Sequence, residues 1–239
     1  MIDYNSLIIN GKSTADLPFF VAVEEVPGLT KSLKKDKLYK LDHVNGAVKQ
    51  SINAWETITH KFKFYLHEAN RTDLREFKRF IGHEGYFVRY DDPSIHINYL
   101  SAIVSSDPLD EFDGYEVEVE FECEPFEYEE EREVDLTSQT EITNETTAPM
   151  YPKLVVEAAS AAPMYLSIGP QQLSFPKGIN GKYEIECKHG KQNIINLTTG
   201  ELANDIARGP FFEIQPGSWE IQKSAGFTSI KMTTRWGWL

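Results

Sequence analysis

The 239 residues carry a formal charge of −13 and are 41% hydrophobic, enough apolar material to core one large or two ordinary domains. That charge excludes sequence-specific nucleic-acid binding, which needs a basic footprint to release phosphate counterions. No stretch approaches the roughly 18 apolar residues of a membrane span, and the start has neither a basic nor an apolar leader region. Cytoplasmic synthesis without membrane insertion is therefore expected. Cys123 and Cys187 are then expected as buried free thiols, and the Asn-x-Thr triplets at Asn70, Asn144 and Asn196 carry no glycosylation meaning.

In chain order, 7–10 is a short apolar run closed by Asn10-Gly11, and 19–26 resumes as a strand until Pro27-Gly28. Residues 30–42 concentrate Lys31, Lys34, Lys35, Lys37 and Lys40 in an otherwise acidic chain. They read either as a solvated loop or as an arm that docks on an acidic surface, in this chain or in a neighbour. Residues 57–67 alternate, with Ile58, His60, Phe62, Phe64 and Leu66 on one face and Lys61 and Lys63 on the other. At 70–81 the spacing becomes helical: Leu74, Phe77, Phe80 and Ile81 form one stripe, Asn70 or Thr72 caps the start, and Gly82 ends it. Strands are expected at 86–90 and 95–104 around an Asp-Asp-Pro turn, followed by an acidic turn over 107–114.

Residues 114–124 give the clearest strand. Tyr115, Val117, Val119, Phe121 and Cys123 share one face, and Glu116, Glu118, Glu120, Glu122 and Glu124 share the other. One wet face implies an antiparallel sheet. Same-face glutamates about 7 Å apart lie within a Debye length, so each neighbouring pair costs about half a kcal/mol. Either Lys61 and Lys63 relieve them across the ladder, or the surface is anionic by design.

After Pro125 the pattern dissolves into an acidic run and then a polar stretch poor in apolar residues. This divides the chain into an N-terminal domain (1–133), a polar linker (134–148) and a C-terminal domain (149–239). In the last part, strands are expected at 153–157, 165–168, 183–187, 193–197, 211–214, 218–222 and 228–234, with Gly- and Pro-containing turns between them. That spacing indicates an antiparallel β-sandwich. The fold class is thus mainly β, with one helix.

Chemistry is not legible. The chain has no glycine-rich phosphate loop, Gly-x-Ser-x-Gly, Cys-x-x-Cys or His-Glu-x-x-His. The stretch 107–120 imitates a calcium loop until Leu109 occupies the first ligand position. No cofactor, metal or catalysis is expected.

The order of features does resemble a known family. The Asn-Gly turn followed by DLPFFVAVEEVPG, the strand and helix FKFYLHEANRTDLREFKRFIG, the hairpin GYFVRYDDPSIHINYLSAIV and the acidic strand are together similar to the distal tail proteins (Dit) of long-tailed, non-contractile bacteriophages. GPFFEIQPGSWEIQ and the terminal SIKMTTRW are similar to the end of that family's second domain. Trp219 stands where the family's Pro-Gly-x-Asn turn has its Asn. The resemblance implies an N-terminal β-sandwich or split barrel with one α-helix and a C-terminal galectin-like β-sandwich.

It also implies a non-enzymatic hub at the virion tail tip. A homohexameric ring, single or double, would join the tail tube protein to the tail-associated lysin or fibre protein and to receptor-binding or baseplate proteins, leaving a channel for DNA. In that frame Lys31, Lys34, Lys35, Lys37 and Lys40 are candidate inter-subunit contacts, and Glu116, Glu118, Glu120, Glu122 and Glu124 line the channel or an interface. Trp219, Trp236 and Trp238 are candidate aromatic contacts of the outer domain. The alternatives are a carbohydrate-binding module that stacks sugars on those tryptophans, or an accessory domain of a cell-wall hydrolase.

Overall fold

The computed structural model describes residues 5–28, 30–43, 45–52, 54–109 and 113–239. It divides into two compact units, Met1–Tyr128 with Leu239, and Glu129–Trp238. Among the described residues no helix is long and apolar enough to cross a membrane.

The N-terminal unit contains β1 (Leu7–Ile9), β2 (Lys12–Ser13), β3 (Phe20–Glu25), β4 (Lys37–Tyr39), β5 (Val48–Gln50), β6 (Ile58–His67), α1 (Arg71–Ile81), β7 (Gly85–Arg89) and β8 (Asp92–Pro108). The last strand, β9 (Gly114–Glu129), crosses the unit boundary by one residue. One sheet runs in the order β2-β1-β7-β8-β9-β6-β3. It curls: the Val23 N–H of β3 donates to the carbonyl of Asn5, beside β1 at the far end of that order, at 2.8 Å. The split-barrel character follows from that contact.

Inside lie Phe62, Phe64, Phe87, Val117, Val119 and Phe121, all fully buried. The helix closes the barrel by setting Phe77 against Phe64 at 5.2 Å between ring centres. Asn70 caps it, accepting from Thr72 N and Asp73 N, while Asp73 accepts from Asn70 N. This reciprocal pairing satisfies the first-turn donors. At the start of β9, Gly114 has φ +108, and a Cβ there would lie 1.9 Å from the Leu66 carbonyl; only glycine lets the two strands approach so closely. The acidic turn expected over 107–114 includes residues 110–112, which lie outside the described residues.

The C-terminal unit contains β10 (Arg132–Asp135), β11 (Glu141–Asn144), β12 (Lys153–Ser160), β13 (Met164–Ile168), β14 (Gln171–Phe175), β15 (Ile179–Glu186), β16 (Asn193–Asn196), β17 (Gly217–Lys223), β18 (Phe227–Thr234) and β19 (Gly237–Trp238). Two antiparallel sheets, β10-β18-β12-β15-β16 and β11-β17-β13-β14, enclose one core. Leu154, Val156, Ile185 and Ile230 enter it from the first, and Leu166, Leu173, Phe175 and Ile221 from the second.

Three expectations are corrected here. Residues 134–148 are not a free linker: β10 pairs with β18 and β11 with β17, and Leu136 and Ile142 are buried. The few apolar side chains of that segment suffice because the ladder, not the segment, supplies the rest of the stabilisation. Second, 211–214 is not a strand; it makes one bridge, Met150 to Ile214. Third, 30–42 is not an open loop. It forms the first arm of a hairpin in which β4 pairs with β5.

These corrections redirect proteolysis. Limited trypsin digestion is expected to cut first among Lys31, Lys34, Lys35, Lys37, Lys40 and Lys49, which are exposed and lie in or beside a two-stranded ladder. Arg132, committed to β10, should be spared. Mass spectrometry of the first fragments checks this, and an initial cut at Arg132 would contradict the ladder.

Candidate functional site

The strand β9 is fixed by its inner face. Val117, Val119, Phe121 and Cys123 are fully buried, so the alternating glutamates must point out of the barrel wall. Pairing with β6 sets Glu116 opposite Tyr65, Glu118 opposite Lys63, Glu120 opposite Lys61 and Glu122 opposite Thr59. Lys61 reaches two carboxylates, 2.8 Å from Glu120 and 3.8 Å from Glu118. Its pKa rises, chiefly through the hydrogen bond to Glu120. Lys63 turns instead to Glu25, at 3.7 Å. The lysine relief expected across the ladder is thus made by Lys61, while Lys63 serves the neighbouring strand.

Glu122 and Glu124 accept from neutral donors. Thr57 donates to Glu122 at 3.1 Å, and Asn98 donates to Glu124 at 3.0 Å. Lys61 thus serves Glu118 and Glu120 while Lys63 serves Glu25, so carboxylates outnumber lysines and the face stays anionic. Pairs as exposed as these contribute little to stability, so the face is tolerated more than it is neutralised. One end carries an aromatic and acidic group: the Tyr65 hydroxyl donates to Asp113 at 2.8 Å and lies 2.8 Å from His67 Nδ1. Phe20, 59% exposed, sets its edge against His67.

The second surface is the hairpin of β4 and β5. Its register places Lys37 opposite Gln50, Leu38 opposite Lys49 and Tyr39 opposite Val48. Asp36 ties the strands, accepting from Ser51 Oγ at 3.0 Å and Ile52 N at 3.3 Å and pairing with Lys49. The Lys49 contact leads the groups that hold its carboxyl below the usual range. At the base, Lys34 lies over the Trp55 ring at 5.0 Å, and Lys35 faces Glu56 at 3.8 Å. Among the described residues Lys31, Lys37 and Lys40 have no ion-pair partner. Leu33 and Leu38 are 74% and 68% exposed, and Tyr39, Leu41 and Val48 are exposed with them. An isolated two-stranded ribbon is marginal in water, and this one leaves apolar and basic side chains exposed together.

The tryptophans separate. Trp219 and Trp236 pack against the C-terminal core. Trp219 Nε1 donates to the Gln215 carbonyl at 2.7 Å, so the indole closes the Pro216-Gly217 turn that an Asn would otherwise brace. Trp238 is 37% exposed and donates to Glu129 at 3.0 Å.

Elsewhere, a cavity of about 200 Å³ lies beside Arg89 and Glu127. Arg89 is already engaged, forming two bonds to Asp91 and one to the Pro27 carbonyl, and the volume falls below the usual several hundred Å³ of small-molecule sites. Among the described residues no group of three His, Cys, Asp or Glu side chains could hold a metal. Burial pushes both thiols up to about 12, so neither is a nucleophile near neutral pH. The hairpin was the surface that sequence reasoning left half-seen. Asn45-Gly46, between two short apolar runs, was the available signal for its turn.

No family model matches the chain, and no curated protein matches its sequence. Among solved structures, the fold is similar to that of the SPP1 Dit protein, described as a paradigm of the hub adsorption apparatus in phages that infect Gram-positive bacteria. The TM-score is 0.72 at 15% identity, over 98% of this chain and 99% of that one. It is also similar to a chain of the phage P2 baseplate in its activated conformation with Ca, with a TM-score of 0.53 at 8% identity, over 96% and 97%. Both units of this chain, in order and over nearly their whole length, therefore carry a Dit-like fold.

Proposed function

We propose that this protein is a non-enzymatic hub of a phage tail tip. The observation that carries the reading is the two-unit match to the SPP1 Dit protein, end to end in both chains. Copies of the N-terminal unit assemble into a hexameric ring continuous with the tail tube protein. The C-terminal unit, a galectin-like sandwich, presents receptor-binding or other baseplate proteins, and the tail-associated lysin or fibre protein follows below. The anionic face of β9 supports a channel role, because a ring of such faces repels phosphate and keeps passing DNA from adhering. The exposed basic hairpin supports a heterologous interface, in which one patch of each copy meets a different patch of the next.

Electron microscopy of the purified protein is expected to show six-fold rings. Reversing the three lysines without internal partners (Lys31→Glu, Lys37→Glu, Lys40→Glu) should raise the concentration at which rings form by about tenfold or more, with a larger effect at low salt. Glu116→Gln, Glu118→Gln and Glu120→Gln together should leave rings intact. A monomeric wild type at high concentration would overturn the hub reading. Ring loss in the glutamine variant would move the acidic face from the channel to the interface.

A further inference from the structure

We infer that Asn45 is a site of spontaneous deamidation, the one Asn-Gly pair in the chain that the fold leaves free to react. The reaction is intramolecular. The Gly46 backbone nitrogen attacks Asn45 Cγ, a C–N bond forms, and the side-chain amide leaves as ammonia. Water then opens the five-membered imide at either carbonyl, giving aspartate or its isomer with the backbone routed through the side chain. The net exchange is amide and water for carboxylate and ammonia, with no change of oxidation state. It needs a side chain free to swing onto the next nitrogen, and a next residue without a Cβ in the way.

Three Asn-Gly pairs occur, at 10–11, 45–46 and 180–181. The first is locked. Asn10 Oδ1 accepts from Tyr86 N at 3.0 Å, its Nδ2 donates to the Tyr99 hydroxyl at 3.3 Å, and its own N–H is bonded to the Tyr86 carbonyl. The third is built into the ladder between β12 and β15, with Asn180 opposite Ala159 and Gly181 opposite Ala158. Neither can rotate into the attacking geometry without breaking paired structure.

Asn45 and Gly46 lie in the connection between β4 and β5, outside any ladder, and both are exposed. Gly46 has φ +91 and open space where a Cβ would be. Cationic side chains crowd the same hairpin and favour loss of the Gly46 amide proton, which the attack requires. Each event adds a carboxylate to the chain's basic element, and the isomer also lengthens the backbone by one methylene. The consequence for ring assembly rests on the hub reading; the chemistry does not, and its test is read on the isolated full chain.

The full-length protein is held for days at mildly alkaline pH and then digested with trypsin. Peptide 41–49 contains Asn45 as its single asparagine, and peptide 178–182 contains Asn180. The mass gain of an amide-to-acid exchange should appear in 41–49 at least about tenfold faster than in 178–182, an activation difference of about 1.4 kcal/mol. Gly46→Ala should slow it by about tenfold, and Asn45→Gln should remove it from that peptide. Retention of the amide in 41–49, or equal rates in the two peptides, would overturn the assignment.

Discussion

Phe121→Ala is expected to lower the stability of the N-terminal unit by about 3–5 kcal/mol. Phe121 is fully buried and is the ring on which the barrel's aromatic centre converges. Its centroid lies 5.8 Å from Phe62, 5.0 Å from Phe87 and 4.8 Å from Tyr99. These rings come from β6, β7 and β8, so truncation opens a cavity shared by three strands that cannot all move inward at once. Phe121→Leu, which keeps most of the volume, should cost about 1–2 kcal/mol. Hydrogen exchange of the β6 and β9 amides in graded denaturant reads the N-terminal unit separately. A loss under 1 kcal/mol for Phe121→Ala would show that the site collapses, contrary to the packing seen.

The second large effect is acid sensitivity centred on His60. This imidazole, 3% exposed on the inner face of β6, sits edge-on to Phe87 at 5.9 Å. Burial, with a smaller contribution from the charge of Arg89, lowers its pKa from 6.5 to about 4. The unfolded chain therefore binds a proton near pH 6.5 that the folded chain refuses until about pH 4. Between those values the unfolded state holds more protons, so stability falls as pH falls, by about 3 kcal/mol in all.

Glu127 works in the opposite sense. Burial and then Asp92 raise its pKa, so acidification relieves it and partly offsets the loss. Comparing wild type with His60→Leu isolates the histidine. The variant's N-terminal unit should lose about 3 kcal/mol less than wild type between about pH 7 and about pH 4. Parallel pH profiles for the two proteins would show that His60 is protonated in the fold without penalty.

What could be read from the sequence follows from where stabilisation is local. The strand β9 and the helix α1 declare themselves because each segment's own periodicity sorts its buried from its exposed side chains: Val117, Val119 and Phe121 against the glutamates, and Phe77 and Ile81 against Arg75 and Lys78. The pairs β10 and β11 did not, because Val134, Leu136 and Ile142 are few and their partners, Met232 for Val134 and Trp219 for Ile142, lie far along the chain. No local window holds that information. The hairpin of β4 and β5 was obscured for another reason: its lysines signal solvent, and its Leu38 and Tyr39 are themselves exposed, so no sorting of buried from exposed side chains marks the strands. The acidic face was visible as a pattern, but its distribution of partners was not. Whether Lys63 serves Glu118 or Glu25 depends on β3 lying beside β6.

The ladder positions of β10 and β11 also decide how this protein can be inherited in pieces. Each is an outermost strand laid against one that arrives near the end of the chain, so the C-terminal sandwich is clasped by its own first residues. A recombination seam placed in the polar stretch at 134–148 would strip β10 from one sheet, β11 from the other, or both, exposing unpaired edges that invite association with foreign strands. A seam upstream of β10 leaves both of these edge pairings intact. Gene exchange that swaps the C-terminal sandwich for another therefore keeps both edges paired only when 132–144 is carried with it, and the polar segment that resembles a spacer travels with the module it completes.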